Sequence, residues 1–165
     1  MQRTTLLTLA ARGQKKIRAR AKEIGARTVL LGATNETALA ALFYDPPDAA
    51  RIAIYTRSAR THTPTAELSA DDVRAADVAV MRALWTDKHA ARRMLPEDRN
   101  DGVRGTIHFT GADAWVIGLP QSVPFAMGKV AQRCPTESMT RDLHPLSLPR
   151  CMVQHRRRYF ECGSH

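Results

Sequence analysis

No run of apolar residues approaches the roughly 20 that a membrane-crossing helix requires, so no bilayer span is expected. The opening MQRTTLLTLAARGQKK lacks the long apolar centre of a secretion signal. Cys134, Cys151 and Cys162 form no Cys-x-x-Cys pair. An odd cysteine count without a secretion signal suits a reducing compartment, and a cytoplasmic location is the expectation. Cys151, His155, Cys162 and His165 offer two thiols and two imidazoles, but their spacing matches no common zinc finger, and no metal is expected. Internal repeats and low-complexity stretches are absent. Acidic residues are scarce, with 16 Asp+Glu against 25 Lys+Arg and a net charge of +9. The excess gathers at residues 12–27 and 150–158. Such a balance favours anionic partners, including phosphate-bearing cofactors. Arg156, Arg157 and Arg158 stand beside Tyr159 and Phe160, a pairing that can contact phosphates and bases. One short run reads first as solvated surface, so nucleic acid is not the expected partner.

What is present suffices for one domain with a real core: 165 residues, 44% of them hydrophobic. Residues 4–11 (TTLLTLAA) read as a strand, closed by Arg12 and Gly13. Residues 14–24 read as a helix with Ile17, Ala21 and Ile24 on one face, stopped by Gly25. Residues 28–31 form a second strand. Thr34 or Asn35 caps the next helix, which carries Leu39, Leu42 and Phe43 and ends at Asp45-Pro46-Pro47. Ile52 to Tyr55 is a third strand, followed by a loop to Thr65. Ser69 with Asp72 makes a near capping box. It opens a long helix to Met94 whose apolar side is read as Val73, Ala76, Val80, Ala83 and Leu84. A polar loop over 96–102 leads to a strand over 105–110. A helix starts near Val123 with Phe125 and Lys129, four residues apart, on one face. Pro135 lies inside that helix and predicts a kink. Strands alternating with helices predict an α/β fold with a parallel sheet and right-handed crossovers.

The segment 105–145, GTIHFTGADAWVIGLPQSVPFAMGKVAQRCPTESMTRDLHP, resembles the active-site strand and helix of the short-chain dehydrogenase/reductase family. That helix carries Tyr-x-x-x-Lys in the family, with a Ser thirteen residues before the Tyr. Phe125 stands at the Tyr position, Ala112 at the Ser position, and Lys129 at the Lys position. The resemblance extends over residues 4–145: the first strand of this chain resembles the family's second, residues 28–34 its third, and residues 52–59 its fourth. It implies a Rossmann-like three-layer parallel sheet over 1–145, and a basic irregular tail over 146–165. It implies NADP or NAD as cofactor, hydride transfer to or from a carbonyl or alcohol, and a homodimer. Arg12, at the end of the first strand, resembles the residue that meets the NADP 2′-phosphate.

The departures from the family pattern predict a silent site. No G-x-x-x-G-x-G turn occurs in the sequence, so the family's first strand and its pyrophosphate-binding turn have no counterpart. That strand belongs in the middle of the sheet, so a central gap is expected between the first and third strands of this chain. Thr56-Arg57-Ser58 stands where the family has Asn-Ala-Gly, and no Asn lies in the long helix. Phe125 has no ionisable proton and Ala112 no hydroxyl, which removes the general acid. Asp113 and His108 are the nearest alternative acids; they read as a loop cap and a packed or surface residue. Lys129 and Arg12 are the expected cofactor-facing survivors. Other classes consistent with the residues are a non-catalytic binding or regulatory module, a basic nucleic-acid binder, and a fragment without function.

Overall fold

The computed structural model describes residues 6–32, 34–57, 60–98 and 102–153, with the backbone alone at 14–16, 115 and 151–153. Five strands alternate with four helices: β1 (Thr8–Ala11), α1 (Gln14–Ile24), β2 (Arg27–Leu30), α2 (Glu36–Tyr44), β3 (Ile52–Tyr55), α3 (Ala70–Met94), β4 (Thr106–Thr110), α4 (Val123–Leu143) and β5 (Arg150–Val153). Every strand pair is parallel. The fold is α/β and Rossmann-like.

Local chemistry sets the boundaries. Gly25, at φ 65°, takes the left-handed conformation that ends α1, where its lack of a Cβ removes the strain. The Asn35 side chain accepts from Ala38 N at 2.9 Å and starts α2. Ser69 and Asp72 form the complete capping box of α3, with Ser69 N donating to Asp72 Oδ2 at 3.0 Å and Asp72 N to Ser69 Oγ at 3.2 Å.

The strands form two sheets: β1 pairs with β2, and β3–β4–β5 form the other. Among the described residues β1 and β3 do not pair, so each keeps one open edge, as the expected central gap requires. Ala53, Tyr55, Ile107 and Phe109 point from the larger sheet into a core completed by Phe43, Ala83, Ala90, Met94 and Leu148. Tyr55 Oη donates to Ala79 O at 2.6 Å and pins β3 to α3. On the opposite face Ile52 and Ile54 are 59% and 64% exposed. Burying an exposed Ile contributes roughly 1.5–3 kcal/mol, so this face forgoes stabilisation a covering layer would supply.

The structure corrects the sequence reading in several places. The first strand covers Thr8–Ala11, shorter than 4–11, and positions 4 and 5 lie outside the described residues. The second runs over Arg27–Leu30, one residue early. The segment after Pro145, expected to be irregular, contains β5, which pairs with β4 in the register Ile107 to Arg150. Its basic first residue is admissible there because Arg150 finds a buried carboxylate, Asp87. Val73 and Leu84 of α3 are each 38% exposed, not core. Ala76 and Ala83 are buried as read, joined by Ala79, Arg82, Thr86 and Asp87, and α4 approaches closely enough to favour small residues. An alanine-type Cβ built on Gly128 of α4 would lie 3.5 Å from Ala76 Cβ. Pro135 removes the donor that Ala131 O would meet, yet α4 is one continuous element. No helix is long and apolar enough to cross a membrane among the described residues.

Candidate functional site

Lys129 stands on the buried face of α4 and is only 4% exposed. Its Nζ donates to Thr110 O, at the end of β4, over 2.7 Å. Gln132 Oε1 lies 3.5 Å from the same nitrogen, one helical turn on. Burial, with the Arg60 charge acting in the same direction, lowers the Lys129 pKa to about 8. The ammonium is therefore committed to a strand carbonyl and carries a desolvation cost.

Phe125 sits one turn before Lys129, half-buried. The Arg60 guanidinium carbon lies 5.3 Å from its ring centroid, a cation–π approach. The two residues share a crevice with Ala76, Ala79, Pro124, Gly128 and Gln132. Its empty volume is about 170 Å³, below the roughly 300 Å³ at which small-molecule sites begin. Ala112 is half-buried in extended backbone and precedes a single 3-10 turn, Asp113–Trp115, that packs against α4. The Asp113 main-chain carbonyl accepts from Val116 N and Ile117 N, both at 2.9 Å. His108 points from β4 towards the face opposite Ile107 and Phe109 and is half-buried. Ala112, Asp113 and His108 are not among the residues lining the crevice.

Arg12 is exposed and directly follows β1. It therefore belongs with the β1–β2 sheet, and the crevice by Lys129 lies between α3 and α4. The Arg12 charge acts on Arg57, just past β3. Arg57 carries a buried Nε and a buried Nη1 with no hydrogen-bond partner. Arg82, 7% exposed on α3, also acts on Arg57. Burial lowers the Arg57 pKa, and the like charges of Arg12 and Arg82 lower it further. Sequence reasoning noted Arg57 as a departure from a small-residue turn, but Arg60, Arg82 and Gln132 gave no signal except helical spacing from Lys129 and the mid-helix place of Arg82. Arg12, Arg57 and Arg60 all follow strand ends, the edge at which open parallel sheets hold ligands.

Among the described residues no group of three or more His, Cys, Asp or Glu could hold a metal ion. The residues His155, Cys162 and His165, the run Arg156, Arg157 and Arg158, Tyr159 and Phe160, and Ser58 of the turn after β3 lie outside the described residues.

No family model matches the sequence, and no curated protein matches it. Solved structures match the fold. A short-chain type dehydrogenase/reductase from Mycobacterium marinum superposes with TM-score 0.75 at 20% identity, over 87% of this chain and 61% of that one. A short-chain dehydrogenase from Rhodopseudomonas palustris gives TM-score 0.75 at 25% identity, over 90% and 72%. A metagenomic short-chain oxidoreductase solved in complex with NADP gives TM-score 0.78 at 15% identity, over 90% and 70%. The chain thus spans about 61% of the length of the first of these. Its parallel strands β1–β2 and β3–β4–β5, alternating with helices, have the Rossmann fold found in short-chain dehydrogenases/reductases.

Proposed function

We propose that this protein is a short-chain dehydrogenase/reductase-like unit that does not carry out hydride transfer as it stands. The reading rests chiefly on Phe125. In the resembling helix the position four residues before the Lys holds the group that exchanges a proton with the substrate oxygen. A phenyl ring cannot exchange one, and here it lies beneath the Arg60 guanidinium. Ala112, at the position of the hydroxyl donor, offers a methyl group. Losing a general acid costs about 10²–10⁴ in rate.

The two ends of a dinucleotide fit these residues differently. The nicotinamide end does not fit: Lys129, which would hold the ribose, is 4% exposed and bonds Thr110 O. At the phosphate end Arg12 is exposed, and Arg57 has unpaired donors. NADP is the better-matched of the two cofactors for that reason, and no catalytic step is assigned to it. The partner reading is a second copy of the chain. It rests on exposed apolar residues at helical spacing, Val73, Met81 and Leu84 on α3 with Val123, Met127 and Val130 on α4. A cytoplasmic location completes the reading, from the cysteine pattern.

The test is a titration of the purified chain with NADP(H) and NAD(H), followed by melting temperature, alongside hydride-transfer assays on carbonyl and alcohol panels. No turnover is expected from the protein. Turnover that survives repurification would refute the silent-site reading. Phe125→Tyr combined with Ala112→Ser is expected to stay inactive, because Lys129 remains buried on Thr110. Light scattering tests the dimer, and a monomer at high concentration would remove it.

A further inference from the structure

We propose that Tyr44 is a nucleophilic phenol, a site of covalent O-acylation at which His89 takes the phenolic proton and Glu36 holds the imidazole in place. The site lies between α2 and α3. It shares no residue with the crevice by Lys129 or with the arginines that follow the strand ends.

One imidazole sets the chemistry. His89, on α3, is 6% exposed. Its Nε2 lies 3.1 Å from Glu36 Oε1, and its Nδ1 lies 3.4 Å from Tyr44 Oη. Both partners come from α2, where Glu36 is the first residue and Tyr44 the last. The Tyr44 and His89 rings meet edge to face, with centroids 5.7 Å apart. Lys88 Nζ donates to the same Glu36 oxygen at 2.8 Å. The hydrogen bonds from Lys88 and then His89 hold the Glu36 carboxyl below the usual carboxylate range, so it is ionised at neutral pH. An ionised carboxylate only accepts hydrogen bonds. The neutral imidazole therefore carries its proton on Nε2, and the Nδ1 lone pair faces the Tyr44 hydroxyl.

A hydroxyl, a base within its reach and a third group orienting that base are the parts of an activated nucleophile. The 3.4 Å separation is long, and such contacts tighten when a substrate docks. Tyr44 is 45% exposed, so the phenol is open to a reagent while its base is buried. Tyr55 supplies the contrast. It is 9% exposed, its Oη donates to Ala79 O at 2.6 Å, and burial pushes its pKa up to about 12. A backbone carbonyl cannot take that proton; an imidazole can.

The acyl donor is an activated ester or thioester. Tyr44 Oη attacks its carbonyl carbon, and the phenolic proton passes to His89 Nδ1. A new carbon–oxygen bond forms, the bond to the leaving group breaks, and the leaving group departs with that electron pair. The imidazolium is held against the Glu36 carboxylate until it returns its proton to water.

The experiment treats the full chain with para-nitrophenyl acetate near neutral pH and locates acetyl groups by peptide mass spectrometry. Tyr44 should be acetylated about tenfold or more faster than N-acetyltyrosine amide in the same buffer, within the range a general base supplies. Tyr55 should stay unlabelled. His89→Gln should bring Tyr44 down to the rate of the free amide. Nitrogen NMR of the parent should show His89 as the Nε2–H tautomer. Glu36→Gln should populate both tautomers, because an amide can accept or donate, and should slow the acetylation of Tyr44. A Tyr44 rate equal to that of the free amide, a rate unchanged in His89→Gln, or an Nδ1–H tautomer in the parent overturns the site. If His89→Gln does not fold, the rate and the tautomer of the parent decide, since neither needs a variant.

Discussion

Replacing Asp87 by Asn should flatten the pH dependence of stability between pH 4 and 7. Asp87 lies on α3 with its residue 0% exposed. Its partner is Arg150, the first residue of β5, whose Nη2 approaches Oδ2 to 2.8 Å. Arg150 also donates through Nη1 to Thr136 O at 2.9 Å, and its guanidinium stands 4.9 Å from the Phe109 ring centroid. The 2.8 Å approach is an ion pair without good hydrogen-bond alignment, and both Asp87 oxygens lack an aligned donor. Burial therefore dominates. It raises the Asp87 pKa from 3.8 to about 7, against the opposing pull of the Arg150 charge.

The sign follows from proton counting. Between about pH 4 and pH 7 the unfolded chain has released this proton and the folded chain still holds it. The folded state binds more protons, so stability falls as pH rises through that window. Each pH unit is worth about 1.4 kcal/mol while the two states differ fully, and the loss between pH 5 and pH 7 is about 2 kcal/mol. For a chain of this size that is roughly 4–8 °C in melting temperature. Asn mimics the protonated acid in shape and cannot titrate. The assay is the melting temperature of the protein and of Asp87→Asn from pH 5 to pH 8, read as the difference, so that other groups cancel. The variant should match the protein near pH 5 and exceed it at pH 8. A constant difference, or a protein that gains on the variant with pH, would refute the reasoning and show that Arg150 outweighs desolvation.

Three further predictions rest on packing and charge. A Cβ on Gly105 would lie 2.6 Å from Met94 Sδ and 3.0 Å from Met94 Cγ, in a core where Met94 is 0% exposed; Gly105→Ala should cost about 1–3 kcal/mol in urea denaturation. Gly128→Ala meets only ordinary contact with Ala76 and removes a mid-helix Gly, so it should be neutral or stabilise by roughly 0.5–1 kcal/mol. A Gly105→Ala chain as stable as the parent would show that Met94 repacks freely. Lys129 has its pKa lowered to about 8, first by burial and then by Arg60. Its folded form sheds the charge before the unfolded chain does, so the protein should gain stability relative to Lys129→Met as pH rises from 8 towards 10. A difference that stays flat over that range would mean the ammonium is well solvated.

Much of the fold was legible because its boundaries are written in local chemistry. Gly25, Asn35 and the Ser69–Asp72 pair each act within a few residues of themselves, so the ends of α1, α2 and α3 could be read directly. The break between β1 and β3 was legible for a different reason, the resemblance to a sheet whose middle strand has no counterpart here. The buried face of α3 was legible only in part: Ala76 and Ala83 were read as inward and are buried, Val73 and Leu84 are not. Hydropathy places Val73 and Leu84 inward, but the distance between α3 and α4 favours Ala76, Ala79 and Ala83. Residue size, set by a partner helix distant in sequence, decided the face. β5 was missed similarly. An arginine opening a strand reads as a solvated tail until Asp87 is known to face it.

The same distinction governs the candidate site. A net charge of +9 points towards anionic partners without saying where one would sit. Surface cations cost little and specify little, and the pairs Arg20–Glu23 and Arg74–Asp71 are both well exposed. What localises a ligand is a cation taken out of water without an acceptor, because its desolvation has not been offset within the chain. Arg150 meets that condition halfway, with Asp87 as its counter-charge. Arg57, half-buried as a residue, meets it at two of its three nitrogens, Nε and Nη1. Lys129, the residue that family resemblance brings forward, does not meet it, since Thr110 O already accepts its hydrogen bond. Resemblance and burial therefore select different residues, and NADP(H) titration of Arg57→Gln beside Lys129→Met decides between them.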